Sequence, residues 1–323
     1  MRVLITGGAG FIGSHLVDRY LERGHEVVAV DNFITGSAAN LERARASERF
    51  RFVEADVADE WERVAAAFTL GRTPDLILHF ASPASPVDYS LRPIETMAVN
   101  SRGTENCLRA ALAWRCRVLY ASTSETYGDP LEHPQREEYW GNVNPVGPRS
   151  CYDESKRFGE ALVMSYLRVH DLDVRIIRIF NTYGPRMRGD DGRVVPNFVT
   201  QALAGRPLTV YGDGSQTRSF CYVDDLVEGI ARCAEVEAAR GVVVNLGNPN
   251  EYPIAVFADI VCRIAGVPLT VDSRPMPVDD PGRRCPDISR ARRLLGWEPV
   301  VTLEEGLTRT LRAFAEYAPT ANS

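Results

Sequence analysis

One stretch decides the fold of this 323-residue chain: Met1-Arg2-Val3-Leu4-Ile5-Thr6-Gly7-Gly8-Ala9-Gly10-Phe11-Ile12-Gly13-Ser14-His15-Leu16-Val17. Its apolar start predicts a buried strand, and the part from residue 14 predicts a helix. The glycines between them permit a tight turn and let the backbone approach a pyrophosphate, whose charge then rests at the helix N-terminus. Asp31 ends the second apolar run, where a carboxylate binds a ribose 2′-hydroxyl and repels a 2′-phosphate. The sequence therefore predicts a dinucleotide site that favours NAD over NADP.

Strand-like and helical segments alternate through the first half of the chain. Apolar runs predict strands at 3–6, 26–30, 50–53, 76–79, 118–121 and 174–179, and amphipathic segments predict helices at 14–22, 61–68 and 94–113. This alternation indicates βαβ units, so the predicted fold class is α/β, a Rossmann-type doubly wound parallel sheet. We expect residues 1–184 to form the NAD-binding domain, with segments near 209–247 returning to it. Residues 185–323 should mainly form a smaller C-terminal lobe that binds substrate.

Composition restricts the class of protein. A hydrophobic content of 45 % and a charged content of 25 % are typical of a soluble globular protein. The net charge of −6 argues against a nucleic-acid partner. The seven cysteines are scattered and form no CxxC pair, which predicts free buried thiols and no metal site. With no apolar run of about 20 residues and no signal peptide, we expect no membrane partner and a cytoplasmic location.

Lys156 is the only lysine among 37 basic residues, so this position favours an ammonium over a guanidinium. Tyr152 lies four residues earlier, which places both side chains on one face of a helix. A neighbouring cation lowers the pKa of a phenol and makes it a usable base. The other interpretation is an ordinary surface pair at i and i+4.

The glycine run, Tyr152, Lys156 and a Thr123 at the end of the fifth strand together resemble the extended, sugar-nucleotide branch of the short-chain dehydrogenase/reductase superfamily. Within it, the run Thr123-Ser124-Glu125 is similar to that of the UDP-glucuronate decarboxylases, whereas the 4,6-dehydratases carry Thr-Asp-Glu. Matching segments cover nearly the whole chain, at 79–86, 129–135, 140–145, 179–187, 191–195, 210–218 and 279–288.

The resemblance implies a catalytic set. Tyr152 removes the C4 hydroxyl proton of the sugar while a hydride passes from C4 to NAD⁺, and Lys156 lowers the pKa of Tyr152 and holds the nicotinamide ribose. Thr123 steadies the C4 oxygen. The other members are assigned to the C5–C6 region of the sugar: Ser124, Glu125 and Arg284. Glu125 has a second interpretation, as an acid in the first turn of a helix.

The resemblance, the glycine fingerprint and the chemistry of diphosphates also define binding residues. The predicted cofactor-binding residues are Gly7, Gly10, Phe11, Ile12, Gly13, Asp31, Asn32, Asp56, Val57, Ala81, Ser82, Asn100, Tyr152 and Lys156. Those predicted to bind the UDP-sugar are Asn181, Arg186, Val195, Tyr211, Gln216, Arg218 and Arg284. For Arg186 and Arg193 a solvated surface charge is an equal alternative, and His79 and His133 are expected to make local hydrogen bonds.

The implied reaction is NAD-dependent decarboxylation of UDP-glucuronate through a UDP-4-keto intermediate to UDP-xylose, by a homodimer that pairs through helices beginning near Ile94 and Cys151. The chain departs from the family pattern at 33–38, at 97–99, at Cys221 and at Cys285. These departures suggest that some UDP-4-keto-pentose is released before hydride return. The alternatives are another sugar-nucleotide epimerase or dehydratase, or a catalytically silent NAD-binding protein.

Overall fold

The computed structural model describes residues 1–59, 62, 65–66, 72–276 and 282–317. Its strands, in chain order, are β1 (Arg2–Thr6), β2 (Glu26–Asp31), β3 (Phe50–Glu54), β4 (Leu76–His79), β5 (Arg117–Thr123), β6 (Val174–Ile179), β7 (Thr182–Tyr183), β8 (Leu208–Tyr211), β9 (Thr217–Ser219), β10 (Cys221–Tyr222), β11 (Val243–Leu246), β12 (Glu251–Pro253), β13 (Val271–Arg274) and β14 (Arg283–Arg284).

The main helices alternate with these strands, in chain order α1 (Phe11–Glu22), α2 (Glu42–Arg45), α3 (Pro86–Leu91), α4 (Pro93–Ala98), α5 (Thr104–Trp114), α6 (Ser150–His170), α7 (Val194–Leu203), α8 (Val223–Glu235), α9 (Ile254–Ala265), α10 (Ser289–Leu295) and α11 (Leu303–Tyr317). Short 3₁₀ turns cover Ala38–Leu41, Ser124–Tyr127 and Glu237–Ala239, and a π-helical turn covers Val99–Gly103.

Seven strands form one parallel sheet in the order β3-β2-β1-β4-β5-β6-β11. The strand order reverses between β1 and β4, and dinucleotides bind at such a switch point, beyond the carboxyl ends of the strands. Buried side chains of α1 and α8 belong to the apolar core on one face of the sheet. Those of α5 and α6 belong to the core on the other face. The predicted doubly wound α/β fold is therefore confirmed.

The second half of the chain adds small sheets outside the large one. Strands β12, β9 and β14 form a three-stranded sheet, while β13 pairs with β8 and β10 pairs with β7. Strand β11 returns to the edge of the large sheet beside β6. The division of the chain at residue 184 stays a prediction. In the described part of the chain, no helix is both long and apolar enough to cross a bilayer, and all seven cysteines are free and buried.

One long predicted helix is interrupted. The segment 94–113 forms α4, the π-helical turn and α5 in succession. A π-helical turn inserts one extra residue, which changes the face that the following side chains present. Here it places Asn100 in the interior, where its amide nitrogen donates to the Ser155 hydroxyl at 2.9 Å. The predicted segments 61–68 and 279–281 fall largely or wholly outside the described residues.

Candidate active site

The glycine loop after β1 has a backbone that tolerates almost no side chain. Gly7 has a φ of 71°, in the region that favours glycine. A Cβ on Gly13 would lie 2.0 Å from the Gly7 carbonyl oxygen, so α1 packs directly on the turn. Gly10 precedes α1 and offers no capping side chain to its first N–H groups. These open donors fit a pyrophosphate.

Asp31 closes the next part of the site. Its carboxylate accepts hydrogen bonds from the N–H groups of Ala9 at 2.9 Å and Phe33 at 2.8 Å, which joins the end of β2 to the glycine loop. Burial raises the pKa of Asp31, and these backbone donors oppose that rise. Beside it, the Asn32 side chain donates to Asp56 at 3.0 Å. The structure therefore brings the predicted ribose-binding carboxylate close to Asn32 and Asp56, two further predicted cofactor-binding residues.

Asn100, like the glycine loop, has polar atoms that a bound dinucleotide would satisfy. It is fully buried, and its side-chain oxygen has no hydrogen-bond partner among the described residues. Buried polar atoms are rarely left unsatisfied, so such an atom at the sheet's carboxyl edge fits a site built for a polar ligand. Of the remaining predicted contacts, Ala81 lies against Gly7, Val57 packs near Gly103, and the Ser82 hydroxyl donates to the Pro83 carbonyl at 3.2 Å. Together these features fit a bound dinucleotide.

Tyr152 and Lys156 lie in the first two turns of α6, and both are buried. Tyr152 is hydrogen-bonded to Thr123 at the end of β5. The phenol ring stacks on Tyr89, with ring centroids 5.0 Å apart and an interplanar angle of 7°. The Lys156 ammonium donates to the Ala121 carbonyl at 2.9 Å and lies 5.8 Å from the Tyr152 ring centroid. The three predicted residues are therefore brought together.

The electrostatics of this group differ from the sequence-based expectation. Burial raises the pKa of Tyr152, which the hydrogen bond with Thr123 opposes, and Lys156 is not among the main causes. Burial also lowers the pKa of Lys156 to about 7, with Glu160 opposing. A side chain with a pKa near 7 is only partly protonated at neutral pH, and only its protonated form lowers the pKa of a neighbouring phenol.

Glu125 lies in the turn that follows Thr123 and is held by two arginines. Its carboxylate is 2.8 Å from the Arg149 guanidinium and forms a second, short ion pair with Arg284. Burial opposes its ionisation, yet the two guanidinium groups lower the pKa of Glu125 to about 2. Arg284 also donates to the Gly128 carbonyl at 3.0 Å. Ser124, which directly precedes Glu125, is buried. Glu125 does lie in the first turn of a 3₁₀ helix, as its second interpretation expected, and it is also held there in two ion pairs.

Asp153 is a second buried carboxyl group, and the charges of Glu125 and Arg149 act on it. Burial, and then the negative charge of Glu125, raise the pKa of Asp153 to about 7, while Arg149 opposes the rise. One of its carboxyl oxygens, Oδ1, is buried without a hydrogen-bond partner in the part of the chain that the structure describes. Sequence reasoning identified none of these roles for Asp153, Arg149 and Tyr89, although all three flank Tyr152 in sequence or space.

Four of the predicted UDP-sugar residues gather on the small sheets. Arg284 lies opposite Arg218 in the β9–β14 pairing, and the Gln216 amide donates to the Tyr211 carbonyl at 2.8 Å. The Arg218 guanidinium donates to the Thr217 carbonyl at 2.9 Å. The others lie elsewhere: Asn181 follows β6 and accepts a hydrogen bond from Cys221, Val195 is buried at the start of α7, and Arg186 pairs with Asp18 of α1 at 2.6 Å.

Arg193 and His79 are two further residues that were named from the sequence. Arg193 pairs with Asp191 at 2.6 Å, and its charge acts to lower the pKa of Tyr152. His79 is enclosed between the Thr6 hydroxyl at 2.7 Å and the Thr104 hydroxyl at 3.1 Å, and burial lowers its pKa to about 3. The expectation that His79 makes local hydrogen bonds is thus confirmed.

Known proteins with the same features define the family. Residues 3–247 match the model of the NAD dependent epimerase/dehydratase family. The chain is 49 % identical to UDP-glucuronic acid decarboxylase 1 of Arabidopsis thaliana, over 97 % of this chain and 70 % of that protein. It is 50 % identical to UDP-glucuronic acid decarboxylase 1 of Xenopus tropicalis, over 97 % of this chain and 72 % of that protein.

A solved structure of similar fold carries ligands of the predicted kind. It is a mutant UDP-glucuronic acid 4-epimerase from Bacillus cereus in complex with UDP-4-deoxy-4-fluoro-glucuronic acid and NAD, with a TM-score of 0.87 and 28 % identity. The match covers 98 % of this chain and 99 % of that one. The chain is a homologue of the UDP-glucuronic acid decarboxylases and belongs to the NAD dependent epimerase/dehydratase family.

Proposed function

We propose that this chain is an NAD-dependent UDP-glucuronic acid decarboxylase that produces UDP-xylose. The observation that carries the proposal is the position of Glu125 between Arg149 and Arg284, in the turn directly after Thr123. A base, a hydrogen-bonding hydroxyl and an anion-binding pair of arginines therefore adjoin one another. A sugar that bears a hydroxyl at C4 and a carboxylate at C6 matches both halves of that arrangement.

The Tyr152 end acts on the C4 hydroxyl. The hydrogen bond between Thr123 and Tyr152 supports a role for this pair in exchanging a proton with a substrate oxygen. The Gly7–Gly13 loop, Asp31, Asn100 and Lys156 would hold NAD, which accepts a hydride from C4 when bound and later returns it. The protein must lower the pKa of Tyr152 when substrate enters, and the guanidinium of Arg193 already acts in that direction.

The arginine end acts on the carboxylate. Oxidation at C4 makes the C6 carboxylate a β-keto acid, which loses CO₂ when its electrons pass into an enolate. Arg149 and Arg284 attract a carboxylate, but two unopposed guanidinium groups would stabilise the ground state and slow its loss. Glu125 neutralises one of those charges. The site would thus bind the carboxylate without holding it tightly, and Arg284 would orient the carboxylate or a water that protonates C5.

Mass analysis of the sugar nucleotides formed from UDP-glucuronate and NAD⁺ tests the proposal. We expect loss of CO₂ alone from the substrate, and unchanged mass would favour an epimerase or a silent NAD-binding protein. Tyr152→Phe should still bind NAD, while turnover falls by roughly 10²- to 10⁴-fold. Tyr166→Phe, at the far end of the same helix, is the matched control and should retain activity. Full turnover of Tyr152→Phe would contradict the assignment of the base.

Partial release of UDP-4-keto-pentose is a further part of this proposal. Cys285, a position where the family pattern has Lys, contributes a buried thiol rather than a cation beside Arg284. Fewer charged contacts at this edge would hold the intermediate less tightly. A product lacking both CO₂ and two hydrogens, together with accumulating NADH, would support release. Stoichiometric UDP-xylose with no NADH would contradict it.

We also propose a homodimer in the cytoplasm. Exposed apolar side chains lie on both helical segments named from the sequence, with Ile94 73 % and Phe158 51 % exposed, and Met97 is similarly exposed. The seven free thiols support a reducing compartment. Phe158→Glu should convert a dimer to a monomer in analytical ultracentrifugation, whereas Val169→Glu, an exposed site near the end of α6, should not.

A further inference from the structure

Three potential metal ligands meet outside the proposed active site. We call them the His133–Glu251–Cys285 cluster, and their ligand atoms all lie within 4.8 Å of one another. His133 Nε2 is 2.8 Å from the Glu251 carboxylate. The residues are far apart in sequence, in the loop after the 3₁₀ turn, in β12 and directly after β14, which is why the sequence predicted no metal site. In the described ranges this is the one group of its kind.

The donor set is chemically specific. Imidazole nitrogen, carboxylate oxygen and thiolate sulfur are the ligands of Zn²⁺ sites, and three protein ligands leave a fourth position for water. In a tetrahedral Zn²⁺ site with such ligands, neighbouring donor atoms stand roughly 3.3–3.6 Å apart. The His133–Glu251 separation of 2.8 Å is shorter than those values and every separation lies within 4.8 Å, so the three donors are close enough to share one ion. His133 is exposed and gives an ion access from solvent, while Cys285 forms the buried end.

The backbone around the cluster is held in place. The Cys285 N–H donates to the Gln135 side chain at 2.9 Å, and the Gln135 N–H donates to the Cys285 carbonyl at 2.9 Å. The second oxygen of Glu251 accepts from the Thr217 hydroxyl at 2.7 Å. Ligands whose orientation is fixed by outer partners lose less freedom when a metal binds. The three segments are thus arranged before any ion arrives.

We propose that His133, Glu251 and Cys285 form a binding site for a single Zn²⁺ ion that ties β12 and the residue after β14 to the preceding loop. Without metal the Cys285 thiol donates to the Pro249 carbonyl at 3.3 Å. Ligation replaces the thiol proton by the metal.

The proposed metal site lies next to the proposed catalytic residues and contributes no catalytic group. Cys285 directly follows Arg284, whose guanidinium pairs with Glu125. An ion at the cluster would hold the backbone that positions this arginine. The proposal requires only the three ligands and does not depend on the substrate assigned above.

Titration of the purified full chain with Co²⁺ alone tests the site, because a thiolate ligand gives a charge-transfer band in the near ultraviolet. We expect one equivalent of Co²⁺ to produce that band, and Zn²⁺ to displace it. Cys285→Ser and His133→Ala should each weaken metal binding by more than the roughly 10- to 100-fold that an outer-shell loss costs. Cys262→Ser removes another buried thiol and should leave the titration unchanged.

Thermal unfolding provides a second readout that needs no activity. Zn²⁺ should raise the unfolding temperature of the wild type and of Cys262→Ser, and not that of Cys285→Ser or His133→Ala, because a ligand that binds the folded state stabilises it. Absence of a thiolate band in the wild type would overturn the proposal. So would a band that survives in both Cys285→Ser and His133→Ala.

Discussion

Replacing Asp153 by Asn should make the folded protein more stable at high pH, although it removes a charge from the centre of the molecule. Asp153 is buried, one of its oxygens lacks a partner among the described residues, and Glu125 places a second negative charge nearby. Ionisation of Asp153 in the folded state is therefore unfavourable. Asn has almost the same shape and cannot ionise.

The size and sign of the effect follow from the pKa of Asp153, which rises from 3.8 to about 7 on folding. Between these values the folded chain binds a proton that the unfolded chain has lost, so the free energy of unfolding falls as pH rises. At 1.36 kcal/mol for each pH unit, this loss reaches about 4 kcal/mol above pH 7. The stability that Asp153 contributes is present below its unfolded pKa and lost above its folded pKa, and Asp153→Asn should show no such loss.

Urea unfolding of both proteins between about pH 4 and pH 8 measures the difference directly. We expect the variant to gain roughly 4 kcal/mol relative to the wild type across that range. Glu154→Gln is the matched control, because Glu154 is the next residue of the same helix and its side chain is 37 % exposed, 3.6 Å from Arg157. That control should show little change with pH. A wild-type minus Asp153→Asn difference that is constant from acid to alkaline pH would refute the inference that folded Asp153 carries a proton.

Three further predictions concern the same region. Arg149→Met leaves Glu125 with one guanidinium partner, so urea unfolding should show a loss of about 3–5 kcal/mol, and combining it with Glu125→Gln should restore part of that loss. Gly13→Ala places a Cβ 2.0 Å from a loop carbonyl oxygen. It should lower the free energy of unfolding by about 1–3 kcal/mol and weaken NAD binding in a fluorescence titration. Gly282→Ala, whose Cβ has no atom within 4 Å, is the control and should do neither. Between about pH 7 and pH 10.5, unfolded Lys156 keeps a proton that the folded protein has lost, so the free energy of unfolding of the wild type should rise with pH. Lys156→Arg should abolish that rise. An unchanged pH profile would contradict the lowered pKa of Lys156.

The first strand, glycine loop and helix could be predicted because their causes are local. Gly7 needs a positive φ and Gly13 needs close packing, and both requirements are met within a dozen residues. The interruption of the predicted helix 94–113 could not be predicted in the same way. Its apolar pattern is compatible with a continuous helix, whereas the π-helical turn accompanies a contact of Asn100 with Ser155, 55 residues further along the chain.

In the candidate site, too, local features could be predicted from the sequence and those that depend on distant segments could not. Lys156 is an example. Its uniqueness in the sequence indicates a position that needs an ammonium, and every role predicted for it from the sequence treats Lys156 as a cation. Burial lowers the pKa of Lys156 to about 7, and a guanidinium could not give up its proton at such a site. Burial, which lowers the pKa of Lys156 and, with the charge of Glu125, raises that of Asp153, is a property of the whole fold, and so is the pairing of two arginines with Glu125. A sequence therefore identifies which side chains carry the chemistry, whereas their protonation states require the packing of segments that are distant along the chain.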